Sequence, residues 1–418
     1  MSTYAIKADK FFLPAGPQLG GYLMVEDGVF GAWQADEPSC EIKDYTGSWI
    51  APGMVDTHIH GFYNHSTTDN DPEGIDISST ELARRGTTSW LPTTFTDGVE
   101  QIKDACAAIA QADEGRGPDF CGARIQGIYL EGPFFTMKHV GAQNPAYLID
   151  PSEEVFDQWQ EAAGGRIVKS AMAAERDGAA AYAAALNAKG VVTSIGHSDA
   201  TYDECVAAIN AGASCFTHTY NGQRGLHHRE PGVVGAAMTT PETYAEIICD
   251  GKHVNPAAIK ALLQAKGWQH TVLITDCLGC GGMPEGSYTS GGMDVIMRTT
   301  CAGSPTARAL PVRCSRSPKA SRTSSTGVSP APISRFAWQP RCRLVPRTSR
   351  ISAAASCRVA TPTLLCSTTS SPSLRPTLAA RASATHLPSN DRKRRRARIC
   401  SDPPYGLTLK STLTVTAC

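Results

Sequence analysis

An α/β fold, in which parallel strands alternate with helices and close into a barrel, is predicted by two features of the chain. Strand-like apolar segments (IQGIYL, VVTSI, SCFTH, AEIICD, TVLIT) are separated by Ala-rich helical stretches such as ERDGAAAYAAALNAKG and ATYDECVAAINAGA. The second feature is placement: metal-type side chains stand at the ends of these segments. Barrels gather their chemistry at the C-terminal ends of the strands, so this placement favours catalysis over structure.

Taken in order, PGMVDTHIHG follows an apolar run with His58 and His60. Residues i and i+2 of a strand face the same side, so this pair can hold one ion. LEGPFF then presents Glu131, SIGHSDA presents His197, THTYNG presents His218, and VLITDCLG presents Asp276. Imidazole and carboxylate suit a borderline divalent metal. Glu131, His197 and His218 are assigned to it first, because one carboxylate and two imidazoles leave an open position for water, the mark of a catalytic site. Hydrogen-bonded strand ends are the plainer alternative.

PGMVDTHIHG, GIYLEGPFF, KHVGAQNP, GHSDATYDECVAAINAGA, THTYNGQRGLHHREPGVVGAAM, CDGKHVNP and ITDCLGCGGMPEGSYTSGG occur in that order between residues 22 and 297. With them the chain resembles the N-acetylglucosamine-6-phosphate deacetylase family of the amidohydrolase superfamily. A lone HxH would be weak support; the ordered set is specific and outweighs the plainer alternative. The resemblance implies a (β/α)8 TIM barrel of the metal-dependent hydrolase type with a small β-sandwich domain. It also implies one or two divalent cations (Zn, Fe, Mn or similar). The reaction it implies is hydrolysis of a linear amide: N-acetylglucosamine-6-phosphate and water give glucosamine-6-phosphate and acetate, in amino-sugar catabolism.

The resemblance also carries roles to residues. Asp276 is general base and then acid, and its second oxygen leaves it available as a ligand. Some members keep the HxH and bind a second ion, so His58 and His60 predict a second site. Arg229 in HHREPG, Asn221 and Gly222 in YNG and His253 in DGKHVNP fall at substrate-binding positions, and a planar guanidinium suits phosphate. The His253 position reaches across a subunit interface in the family, which implies a homodimer. Gln143 in GAQNP replaces a His of some relatives; an amide hydrogen-bonds a sugar hydroxyl but carries no charge. His227 and His228 receive no role. Rival readings are another amidohydrolase, a cyclic amidase or N-acyl amino acid deacylase, which usually bridge their metals with a carbamylated Lys, and an inactive truncated protein whose basic tail binds nucleic acid.

The formal charge of zero conceals two compositions. Residues 1–298 carry 19 Lys+Arg against 37 Asp+Glu, a net of −18, whereas residues 299–418 carry 20 against 2, a net of +18. The tail has no Glu and little apolar periodicity, so its composition predicts disorder. A reading-frame shift near residue 298 accounts for it. If each true codon begins one base earlier, residues 361–373 (TPTLLCSTTSSPS) permit DADFVVLDDELTL, which resembles the family's C-terminal segment. Residues 299–307, 311–317 and 323–328 permit family-like peptides under the same shift.

The domain reading is therefore early sandwich strands over 1–50, a metal-dependent barrel over 51–298, and an out-of-frame tail over 299–418. Loss of the eighth helix and the later sandwich strands would expose strand edges and apolar surface. The N-terminus MSTYAIKADKFF lacks a signal-peptide apolar run, and no segment approaches the ~18 apolar residues of a membrane span. A reducing cytoplasm suits the cysteines, and the lone CLGC at 277–280 is a weak redox or zinc signal. RKRRRAR at 392–398 is a basic patch only if the frame is right.

Overall fold

The computed structural model describes residues 3–298 and the backbone of 301–303 and 366–367. The chain begins with β1 (Thr3–Leu13), β2 (Gly16–Leu19), β3 (Tyr22–Glu26), β4 (Val29–Gln34) and β5 (Glu41–Ile50). β1 pairs antiparallel with β2 and β3 and parallel with β5, and β4 closes on β3. Asp27 and Gly28, at φ 49° and 78°, make the β3–β4 turn, the Asp-Gly choice that a two-residue hairpin favours. Ile6, Ala8, Phe11, Leu23 and Val25 form the buried face of this sheet.

The barrel follows. Its first strand, β6 (Met54–Ile59), leads through the small hairpin β7 (Gly61–Phe62) and β8 (His65–Ser66) to α1 (Pro72–Ala83). Then come β9 (Thr87–Thr94), α2 (Val99–Gly115), the short β10 (Arg124–Ile125), β11 (Ile128–Leu130) and α3 (Glu153–Ala162). β12 (Ile167–Met172), α4 (Ala179–Ala188), β13 (Val192–Ile195), α5 (Tyr202–Asn210) and β14 (Ala213–Phe216) continue the alternation. It ends with α6 (Gly232–Thr239), β15 (Tyr244–Ile248), α7 (Pro256–Lys266) and β16 (Thr271–Ile274).

The parallel strand order is β6-β9-β11-β12-β13-β14-β15-β16. Closure comes from a parallel bridge between Ile59 and Cys277, with Asp276 N–H donating to His58 O at 2.9 Å and His60 N–H to Cys277 O at 2.8 Å. Thr275 Oγ1 donates to buried Asp56 across the same seam, and burial, opposed by that hydrogen bond, pushes the Asp56 carboxyl up to about 6.

Local sequence explains the helix starts. Asp71 caps α1 and Asn255 caps α7, each followed by Pro at the first helical position; Ser152 caps α3; Thr201 and Glu204 make a capping box on α5. Inward faces of the helices meet the strands in one core that includes Trp90, Ile102, Ile109, Phe134, Phe156 and Trp159.

Beyond the barrel, β17 (Gly286–Ser290), β18 (Met293–Arg298) and β19 (Cys301–Gly303) form a small antiparallel sheet, and β20 (Cys366–Ser367) pairs with Trp49 and Ser48 of β5. The edge of β5 is thus paired over those two residues. Among the described residues the N-terminal domain is one sheet, and no α-helix follows β16. The readings placed on the rest of the tail, its altered frame, its disorder and the basic 392–398 run, lie outside the described residues. Cys277 and Cys280 are buried in apolar clusters.

Candidate metal centre

Five barrel strands deliver the metal-type side chains to one end. His58 lies in β6 with His60 just beyond it; Glu131 follows β11, His197 follows β13, His218 follows β14 and Asp276 follows β16. His197, His218 and Asp276 have φ of 46°, 29° and 51°, the left-handed region that side-chain-bearing residues seldom enter. Each such residue costs on the order of 1–3 kcal/mol, so three together mark a place where the surroundings impose the geometry.

The ligand atoms converge as two groups that share Glu131. In the first, the Nε2 atoms of His58 and His60 are 3.3 Å apart, and each is 3.2 Å from Asp276 Oδ1. They lie 3.2 Å and 3.0 Å from Glu131 Oε1 and Oε2 respectively. In the second, His197 and His218 Nε2 are 3.0 Å apart and lie 3.3 Å and 3.0 Å from Glu131 Oε1. Nitrogen or oxygen ligands held ~2.0–2.1 Å from one tetrahedral ion stand about 3.3 Å from each other, which matches these spacings.

Hydrogen bonding sets the same direction. His60 Nδ1 is 3.1 Å from Thr93 O, His197 Nδ1 is 2.7 Å from His139 O, and His58 Nδ1 is 3.3 Å from Glu246 Oε2. Each partner is an acceptor, so each Nδ1 is the protonated nitrogen and each Nε2 turns a lone pair to the centre. Glu131 Oε1 is buried and, among the described residues, has no hydrogen-bond partner despite the imidazoles around it. A buried carboxylate oxygen without a donor is costly, and a cation satisfies it. The donor set therefore fits a divalent metal. Burial alone would lower the His58 and His60 imidazoles and raise the Glu131 and Asp276 carboxyls. Mutual contact reverses all four: the imidazoles are held up by the two carboxylates, and the carboxyls are held well below their usual range by the histidines.

Around the centre, Gln143 is buried, with Nε2 donating to Glu131 Oε2 at 2.6 Å and Oε1 accepting from Thr96 N–H at 2.7 Å. Its amide, expected to meet a sugar hydroxyl, is engaged with a metal-type carboxylate. Asn221 Nδ2 donates to His218 O at 3.3 Å, and a Cβ on Gly222 would come 3.1 Å from His197 Nδ1, so both shape the two histidines' surroundings. Arg229 N–H donates to His227 Nδ1 at 3.3 Å, the His227 and His228 rings lie against each other, and His253 Nδ1 is 2.8 Å from Asp250 Oδ2.

Sequence reasoning missed two sets of residues. Asp199 joins Lys138, His139 and Arg224 at 2.9, 3.0 and 2.8 Å, tying together the loops after β11, β13 and β14; Arg224, outweighing burial, and then Lys138 hold its carboxyl well below the usual range. Lys169 in β12 and Glu246 in β15 form a buried ion pair inside the barrel. Their signal was available: a single charge inside each of the apolar strands IVKSAM and YAEII.

The sequence pattern of the amidohydrolase family matches residues 49–277. The chain is 39% identical over 249 residues to an N-acetylglucosamine-6-phosphate deacetylase of Vibrio furnissii, covering 60% of this chain and 61% of that one. It is 36% identical over 306 residues to an N-acetylgalactosamine-6-phosphate deacetylase of Escherichia coli, covering 72% and 80%. The match thus spans less than two thirds of the Vibrio relative and more of the Escherichia one. Among solved structures, a mutant N-acetyl-D-glucosamine-6-phosphate deacetylase of Mycobacterium smegmatis, in complex with N-acetyl-D-glucosamine-6-phosphate, aligns with a TM-score of 0.70 at 29% identity, over 76% of this chain and 81% of that one.

Proposed function

Because the chain belongs to the amidohydrolase family, we propose that it hydrolyses the acetamide of N-acetylglucosamine-6-phosphate to glucosamine-6-phosphate and acetate at a two-cation centre. The observation that carries this reading is the pair of ligand groups sharing Glu131 at the C-terminal end of the barrel. In it, Glu131, His197 and His218 would hold one divalent cation, zinc or a similar ion, and His58, His60, Glu131 and Asp276 would hold the second. Such cations lower the pKa of bound water and polarise a carbonyl, which brings amide hydrolysis within reach at neutral pH.

The chain's own groups supply the rest. Asp276 is the proton carrier: its side chain is 16% exposed while those of His58 and Glu131 are 0% and 2%, so it alone of these three reaches the open side. Its carboxylate takes a proton from the attacking water as the C–O bond forms and returns it to nitrogen as the C–N bond breaks, releasing acetate and the amine. Gln143 holds Glu131 in place through its amide. Arg229, Asn221 and His253 receive the phosphorylated sugar in this reading, His253 across the interface of a homodimer.

Acetate release tests the reading, with the protein from its native gene, loaded with Zn²⁺, given N-acetylglucosamine-6-phosphate, its galactose epimer, or N-acetylglucosamine. Preference for the first supports the proposal. Preference for the epimer would move the chain beside the Escherichia relative, and equal rates with and without phosphate would favour another amidohydrolase.

A further inference from the structure

The barrel buries a charge pair that the reaction itself does not use. Lys169 and Glu246 are 5% and 1% exposed, on the fourth and seventh barrel strands, and their side chains form an ion pair. Buried ion pairs are weak evidence for stability, since well-packed apolar residues often serve as well. What distinguishes this pair is its other contacts. Glu246 Oε1 also accepts from Thr57 Oγ1 at 3.0 Å, and Oε2 faces His58 Nδ1 at 3.3 Å. The Tyr129 ring lies 3.9 Å from Lys169 Nζ and meets the His58 ring edge-on, 5.0 Å between centroids.

We propose that Glu246, anchored by Lys169, is the positioning residue that fixes the His58 imidazole for the second cation, serving the His58–His60 half of the centre and not the His197–His218 half. An ionised carboxylate only accepts, so His58 must donate from Nδ1 and present the Nε2 lone pair. Backbone carbonyls do this for His60 and His197; His58 alone of the three depends on a side chain. Lys169 makes that dependence workable. A third carboxylate beside Glu131 and Asp276 would otherwise repel them, and the ammonium neutralises it while leaving Oε2 to face His58. This inference rests on the two-cation reading but not on the identity of the substrate.

The test uses the full chain loaded with Zn²⁺ and two variants, Glu246→Gln and the charge-balanced Lys169→Met/Glu246→Gln, since the single change strands a buried ammonium. Ions per chain are counted by elemental analysis after dialysis against graded chelator, with thermal melting to establish that each variant is folded. The wild type is expected to retain two ions. Both variants should hold one of them about 10–100-fold more weakly, the usual effect of removing such an orienting partner, and the other with unchanged affinity. Two ions at wild-type affinity in a folded variant would overturn the proposal, as would equal weakening of both. A wild type that binds one ion would overturn it too, and acetate release from the same preparation shows separately whether the deacetylase reading survives.

Discussion

Asp276→Asn separates ligand geometry from proton transfer. Asp276 has φ 51°, and Asn is among the few residues that tolerate this region, whereas Ala there would add strain of its own. The amide keeps an oxygen where Oδ1 now stands, 3.2 Å from both His58 and His60 Nε2, so cation and substrate binding should survive. What is lost is a group able to accept a proton from water and pass it on. A positioned general base and acid is worth roughly 10²- to 10⁴-fold in rate, or about 2.7–5.5 kcal/mol of barrier. The expected outcome is a fall in kcat of that size with little change in KM, metal content or melting temperature. Initial rates of acetate release, elemental analysis and thermal melting on one preparation read all of these. Turnover within about tenfold of wild type with both cations bound would be too small a loss for the base assigned here, and another group would have to move the proton. Loss of metal together with activity would instead make Asp276 chiefly a ligand.

Four other outcomes are expected. His197→Asn, chosen because Asn suits φ 46°, should remove the ion held by Glu131, His197 and His218, and full metal content by elemental analysis would refute that assignment. Arg229→Ala should raise KM for the phosphorylated sugar by roughly 10- to 100-fold, the worth of a charged hydrogen bond, while leaving N-acetylglucosamine almost untouched; steady-state kinetics on both substrates decides it. Burial lowers Lys266 from 10.5 to about 8, so the cost of its buried charge is present in full below pH 8 and fades as pH rises to 10.5; wild type should gain stability relative to Lys266→Met across that window, and parallel pH-dependent melts would expose the opposite sign. Nucleotide sequencing across codon 298 should find a frame in which residues 361–373 encode a DAD-type segment, and an unbroken frame as translated would dismiss the shift.

The barrel and the clustering of its metal-type side chains were legible for a simple reason: the C-terminal strand ends of a parallel barrel lie near each other, so ordered motifs in sequence become neighbours in space. His58, His60, Glu131, His197, His218 and Asp276 were readable on that ground. Direction was not. That Gln143 turns to Glu131 rather than outward depends on Thr96 N–H taking its carbonyl, a contact across 47 positions that no local pattern contains. Glu246 and Lys169 stood out only as charges in apolar strands, and their meaning needed strands one, four and seven to face one another across the barrel interior. The backbone strain at His197, His218 and Asp276 has no sequence signature at all, since it is imposed by the surroundings.

The change of composition near residue 298 bears unequally on activity and stability. Every group assigned to the centre lies from His58 to Asp276, in or just after the strands that close the barrel, and the seam is held by Asp56, Thr275 and the Ile59–Cys277 bridge. The outer side of the last strand is different: Leu273 on β16 is 51% exposed, where a barrel ordinarily packs a helix. Covering the exposed half of this leucine contributes on the order of 1 kcal/mol, a sizeable part of a stability that is typically only about 5–15 kcal/mol. The chain as translated should therefore bind metal yet melt early, with aggregation beginning at the β16 face. A frame-corrected gene product should raise the melting temperature far more than it raises the number of ions bound per chain. If correction instead restored metal binding from nothing, the centre would depend on the C-terminal segment, and site and cover would not be separable.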